Sequence, residues 1–196
     1  MKLVFATNNQ HKAQEAKAIL GESFDIITPS ELGFDGDIPE THPTIRENSI
    51  QKAVFIWDKF GTACFADDTG LEVDWLGGAP GVYSARYAGD EKDPGKNRIK
   101  LLKELEGVPF GKRTAHFKCV ITLIENGKAI EFEGLCRGHI AMEESDAVNG
   151  FGYDKIFIPE GFDRTMAEIS IEEKNAISHR GEAMRKLACH LQGRHE

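Results

Sequence analysis

A hairpin constrains the fold more than any other feature of this chain. Residues Thr114 to Ile124 alternate apolar and polar side chains and are rich in β-formers. Glu125-Asn126-Gly127-Lys128 follows, and Ala129 to Cys136 returns as the partner strand. Asn-Gly accepts positive φ at both centres of a two-residue turn, and such a turn matches the twist of paired strands. A long antiparallel ribbon is expected. Helical spacing surrounds it. Ala13, Ala16, Ile19 and Leu20 run up to Gly21, and Ile45, Ile50, Ala53, Val54 and Trp57 run to Phe60 and Gly61. A third helix starts at Asp93-Pro94-Gly95 with Ile99, Leu101, Leu102 and Leu105 as its apolar face and Gly107 as its close. A last one follows Ser178 with Ala183, Met184, Leu187, Ala188 and Leu191. Short strands are expected over Leu3 to Ala6 and Phe24 to Ile27. The class is α/β.

With 196 residues the chain can bury a sizeable core, as one domain or two intimate lobes. Its net charge of -8 argues against nucleic acid or an anionic membrane as a partner. A polyphosphate ligand would need a local basic cradle or a divalent metal. None of the four cysteines forms a C-x-x-C pair, and three sit in apolar runs. Reduced thiols and a cytoplasmic location are expected, with no secretory signal and no membrane-spanning stretch.

The candidate chemistry begins where the apolar run Ala63 to Ala66 meets Asp67-Asp68-Thr69-Gly70. That pattern reads as a strand delivering carboxylates to a loop, or simply as a turn, with Leu71 to Asp74 as a further strand. Two Asp side chains are too costly to bury unpaired, so water, a cation or a metal is expected beside them. Residues alternate sides along a strand, so the two cannot both face one ligand. Near the start, Thr7-Asn8-Asn9-Gln10-His11-Lys12 joins a strand to a helix. Such a junction points free N–H groups and a positive dipole end at one spot. Lys12 stands against that dipole, which an anion would explain; alternatively Asn8 or Asn9 caps the helix and Lys12 is solvated. His179 and Arg180 crowd a second helix start in the same way. Gly150-Phe151-Gly152-Tyr153-Asp154 is a glycine-flanked aromatic, fit either to stack on a planar ligand or to tuck Phe151 into the core. Ser170-Ile171-Glu172-Glu173 matches a capping box and puts Lys174 on a helical turn. Arg86 between Tyr83 and Tyr87 reads as an exposed arginine stacked on a tyrosine. The loop Pro29 to Thr44 carries Glu40. The glycine-rich turn Leu76 to Gly81 lacks the setting of a dinucleotide fingerprint, and there is no P-loop motif.

Eight segments together resemble the inosine triphosphate pyrophosphatase family, the bacterial non-standard purine nucleoside triphosphate pyrophosphatases. They are Phe5-Ala6-Thr7-Asn8-Asn9 with Lys12; Glu47-Asn48 with Lys52-Ala53; Ala66 to Leu71; and Leu76 to Gly81. The others are Tyr83 to Tyr87, Gly150 to Asp154, Glu172-Glu173-Lys174 and Ile177 to Gly181. The resemblance implies an elongated two-lobed α/β/α fold, with a long mixed sheet, a cleft between lobes and one domain over residues 1–196. It implies Mg²⁺, a homodimer, and hydrolysis of ITP, dITP or XTP to monophosphate and pyrophosphate, which keeps these nucleotides out of DNA and RNA. Asp68 is then the catalytic carboxylate, either a direct metal ligand or the base for the attacking water; bound to Mg²⁺ it would be a poor base, so it is expected to orient a metal-bound water, with Asp67 in support and Glu40 as a second metal ligand. Thr7, Asn8, Asn9, Gln10, His11, Lys12 and Thr69 would hold the triphosphate. Phe151, Gly152, Tyr153 and Asp154 would hold the base, completed by Lys174, His179 and Arg180. Two rivals are an aspartyl-phosphate phosphatase, which would need a D-x-D motif after the first strand, and a nucleotide-binding sensor without catalysis.

Overall fold

The computed structural model describes residues 2–21 and 24–193. Strands are β1 (Lys2–Phe5), β2 (Asp25–Ile27), β3 (Cys64–Val73), β4 (Pro80–Gly81), β5 (Thr114–Glu125), β6 (Lys128–Ile140) and β7 (Phe157–Pro159). Helices are α1 (Gln10–Leu20), α2 (Ile45–Phe60), α3 (Pro94–Glu104), α4 (Ile171–Ile177) and α5 (His179–Gln192). The strands pair in the order β2-β1-β3-β5-β6-β7, and β4 pairs with β3. Pairing is parallel for β1 with β2 and with β3, and antiparallel for β3 with β4 and for β6 with β7. The mixed α/β class is as the sequence implied, and so is the hairpin: Asn126 and Gly127 take φ of 52° and 71°.

Two compact units divide the chain. The first comprises Met1–Asp68, Cys119–Gly134 and Arg180–Glu196, and the second Thr69–Lys118 and Leu135–His179. In the first unit, strand alternation sorts the core into two clusters. Leu3, Phe5, Phe65, Cys119, Ile121 and Leu123 pack with Ala13, Ala16 and Leu20 of α1 and Ala183, Met184 and Leu187 of α5. Val4, Ala6, Cys64, Ala66 and Ile124 pack with Ala53 and Ile56 of α2. Odd positions of β1, β3 and β5 therefore serve α1 and α5, while even positions serve α2. In the second unit, Leu71 and Val73 of β3 and Ala115 and Phe117 of β5 pack with Leu101 and Leu105, and with Ile156 and Phe157.

Three expectations need correction. Strand β3 does not end at the acidic pair but continues through it to Val73, so Leu71 to Asp74 is no separate strand. The reason is that both carboxylates are neutralised where they lie, as described below. Ile99 is 65% exposed, because the buried stripe of α3 is Asn97 and Leu101 at helical spacing, with Leu105 at its end. Val54 is likewise 40% exposed: α2 buries Ile45, Asn48, Ser49, Lys52, Ala53 and Ile56 instead. The four cysteines are free thiols, and Cys64, Cys119 and Cys136 are buried. Arg86 does stack on Tyr83, 5.2 Å from the ring centre. Among the described residues no helix is long and apolar enough to cross a membrane.

Candidate active site

Asp67 and Asp68 are 1% and 8% exposed. Alternation sends them to opposite sides, and each finds its own cations. On the α1/α5 side, Asp67 Oδ1 accepts from Lys12 Nζ at 3.0 Å and Oδ2 from Arg180 Nε at 3.1 Å. Arg180 Nη1 donates further to Glu15. Burial alone would raise the Asp67 carboxyl; the Lys12 and Arg180 charges reverse this and hold it well below the usual carboxylate range. Burial likewise disfavours the charged Arg180, and the Asp67 and Glu15 charges overcome it, so its value is raised.

On the α2 side, Lys52 Nζ donates to Asp68 Oδ1 at 2.9 Å and to Glu40 Oε1 at 2.7 Å. Two carboxylates thus share one buried ammonium. Burial pushes Lys52 down, but the charges of Asp68, Asp67 and Glu40 raise it above its usual value. For Asp68 the balance falls the other way: burial dominates, and its carboxyl is raised although Lys52 and Lys12 pull it down. The adjacent aspartates therefore differ: Asp67 is held ionised by two cations, and Asp68, paired with Lys52, is the more basic carboxylate. Glu40 is placed by α2. Asn48 exchanges hydrogen bonds with the His42 backbone (2.8 and 3.2 Å), and Gln51 does so with Thr41 (2.9 and 2.8 Å). Ser49 braces the strand by donating to the Ala66 carbonyl at 3.2 Å and bonding Thr122 at 2.9 Å.

The Thr7–Lys12 junction is more self-contained than expected. Asn9 caps α1, its Oδ1 accepting from His11 and Lys12 amides at 3.0 and 3.3 Å. The Asn9 amide donates to Thr7 Oγ1 at 3.1 Å, and Asn8 Nδ2 donates to the Gly36 carbonyl at 3.1 Å. Gln10 opens the helix. The anion that offsets Lys12 is the protein's own Asp67, so Lys12 is neither solvated nor left against the dipole alone.

The remaining candidates lie in the second unit, where Thr69 belongs to β3. Phe151 is half-buried; its amide donates to Asp154 Oδ2 at 2.9 Å. Lys174 Nζ reaches the same oxygen at 2.9 Å and stands 4.4 Å from the Phe151 ring centre. Gly150 must be glycine: at φ 86° an added Cβ would come within 2.8 Å of the Asp154 Cβ. Tyr153 is buried in the core of its unit, its hydroxyl donating to the Ser84 carbonyl at 2.8 Å. Ser170 makes both bonds of the capping box with Glu173, which starts α4 and so places Lys174. His179 is buried, its ring stacked on Phe117 at 4.8 Å between centres.

Lys52 and Glu15 were missed as site residues. Glu15 left no signal. Lys52 did: it falls on the same helical stripe as Ile45, Ser49 and Ile56, and a lysine in an apolar stripe needs a buried anion. Among the described residues no group of three or more His, Cys, Asp or Glu is placed to hold a metal ion. Glu40 and Asp68 nonetheless suit Mg²⁺, which takes one or two carboxylates and fills its octahedron with water and phosphate oxygens. Their convergence on a single ammonium shows that both can reach one cation.

The fold and the site define a mixed-sheet α/β protein built over a buried carboxylate–cation network. The chain belongs to the Ham1 family, whose model matches residues 3–190. It is 51% identical over 187 residues to a dITP/XTP pyrophosphatase of Flavobacterium johnsoniae, covering 95% of this chain and 96% of that one. It is 48% identical to a dITP/XTP pyrophosphatase of Porphyromonas gingivalis, covering 95% of each. The Ham1 protein structure of Staphylococcus aureus superposes with a TM-score of 0.89 at 40% identity, covering 99% of this chain and all of that one. The HAM1 protein of Coxiella burnetii gives 0.90 at 38% identity, covering 98% and 99%.

Proposed function

We propose that the chain is a nucleoside triphosphate pyrophosphohydrolase acting on the non-standard purine nucleotides ITP, dITP and XTP. It would remove them before they enter DNA or RNA. The observation that carries this reading is the convergence of Glu40 and Asp68 on one buried ammonium, in a chain whose whole-length relatives bear that activity in their names. Water attacks the α-phosphorus, the bond to the bridging oxygen breaks, and pyrophosphate departs with that oxygen. Asp68 orients the attacking water: its Oδ1 is engaged by Lys52, so Oδ2 is the atom that faces the water, whose proton leaves to solvent.

Mg²⁺ would be held by Asp68 and Glu40 and, when bound, would supply neutralisation of the phosphate charge. The Thr7–Lys12 segment takes the triphosphate, with Lys12 as a point charge at the start of α1, and Thr69 adds a further contact. Asp67 keeps Lys12 and Arg180 oriented. Phe151 stacks on the base, backed by Gly152, Tyr153, Asp154 and Lys174. His179 and Arg180 complete the nucleotide site, and donors facing position 6 favour the 6-oxo purines. Adenine would leave such donors unpaired, at about 1–3 kcal/mol each. A homodimer in the cytoplasm belongs to the same proposal; sedimentation velocity tests the dimer.

Purified protein with Mg²⁺ should release pyrophosphate from dITP, ITP and XTP far faster than from dATP or dGTP. Chelation should stop the release, and Asp68→Asn should remove most of it. Activity should fall on the acid side as Asp68 takes up a proton, because the reaction needs it ionised. Single-phosphate release, or equal rates on all purines, would refute the reading. Tight binding without turnover would point to a sensor.

A further inference from the structure

The turn that carries Phe151 is gripped by a residue outside every motif. Arg98 lies on α3, its side chain 13% exposed. Its Nη1 donates to the Gly152 carbonyl at 2.7 Å, and its Nη2 to Glu144 Oε1 at 2.8 Å. Lys155 Nζ lies 3.7 Å from the same Glu144 oxygen. Glu144 is held below its usual value, chiefly by the Arg98 hydrogen bond, so it stays ionised and keeps the guanidinium in place. The other side of the turn is closed by Asp154, which accepts the Phe151 amide on its side chain and donates its own amide to the Phe151 carbonyl at 3.1 Å. Gly152 itself sits at φ 58°, a left-handed conformation that glycine adopts without the steric cost an L-residue would carry. Its carbonyl is held by Arg98.

We propose that Arg98 is a specificity-determining positioning residue, fixing the Phe151 turn through the Gly152 carbonyl and thereby the fit of the purine. This rests on the function proposed above. A guanidinium suits the task because its planar fork satisfies a backbone carbonyl and a carboxylate together, which a single ammonium does less well. Arg98 touches neither phosphate chemistry nor the Lys52 cluster. Its loss should act on binding of the base and not on the chemical step.

The test compares wild type, Arg98→Met and Arg98→Lys by KM and kcat on dITP and dATP, and by amide hydrogen exchange over residues 151–154. Arg98→Met should raise the KM for dITP about tenfold, the scale of one charge-assisted hydrogen bond. It should leave kcat within about twofold, lower the preference for dITP over dATP, and speed exchange of the Phe151 and Asp154 amides. Arg98→Lys should recover part of each effect. If Arg98→Met fails to fold, Arg98→Lys carries the comparison, with a smaller shift of the same sign. A fall in kcat shared equally by both nucleotides, with selectivity unchanged, would mark Arg98 as merely structural and overturn the proposal. Unchanged KM and exchange would overturn it too. Absence of pyrophosphate release by the wild type would refute the functional reading instead, and the exchange arm would still report whether Arg98 holds the turn.

Discussion

Asp67 joins two cations from different helices. Replacing it by Asn leaves Lys12 and Arg180 buried or half-buried without their shared anion. Removal of one partner from a buried pair costs roughly 3–5 kcal/mol, and urea unfolding of Asp67→Asn should show a loss of that order. Asp68→Asn should cost less, because the Asp68 carboxyl is raised on balance, whereas the cations around Asp67 outweigh its burial. The pH dependence follows from the depressed Asp67 carboxyl. Above the unfolded aspartate value of about 4 its stabilisation is fully present. As pH falls below that value the unfolded chain takes up a proton first, and the stabilisation is lost on approaching the lower folded value. The stability gap between wild type and Asp67→Asn should therefore narrow below about pH 4. A gap independent of pH would show that Asp67 acts by shape and not by charge.

Among the elements, α4 is the shortest helix with a direct bearing on the site, and its capping box fixes where Lys174 stands. Ser170→Ala should lower stability by about 1 kcal/mol and raise the KM for dITP, both read from one preparation. Ser170 was legible in the sequence because its partners are local. The same holds for the Asn126-Gly127 turn and for α2, whose limits at Thr44 and Gly61 are a side-chain cap and a left-handed glycine. The course of β3 was not legible. Acidic residues before a glycine read as a turn, and the cations that keep them in a strand come from positions 12, 52 and 180. Arg98 was invisible for a related reason: its partner is a backbone carbonyl 54 residues away, and any residue carries one. The misplaced Ile99 and Val54 show the limit of periodicity, since a polar Asn97 or Lys52 can occupy the buried stripe when its hydrogen bonds are met.

At the scale of the whole molecule, neither unit is a continuous stretch of chain. The first draws on three segments and the second on two. The α1/α5 core shows the consequence, joining Phe65, Ile121 and Met184. We therefore propose that residues 1–196 act as one domain. A fragment ending at Asp68 should give no cooperative thermal transition, whereas the full chain should; a sharp transition in the fragment would contradict this. The alternation of β3 also has a meaning for heredity. Damage at Asp67 and damage at Asp68 have separate neighbourhoods, one made by α1 and α5, the other by α2 and the loop bearing Glu40. Intragenic suppressors of a lesion at position 67 should thus map to the helices near Lys12 and Arg180. Those of a lesion at position 68 should map near Lys52 and Glu40. Two codons side by side in the gene would belong to two different histories of compensation.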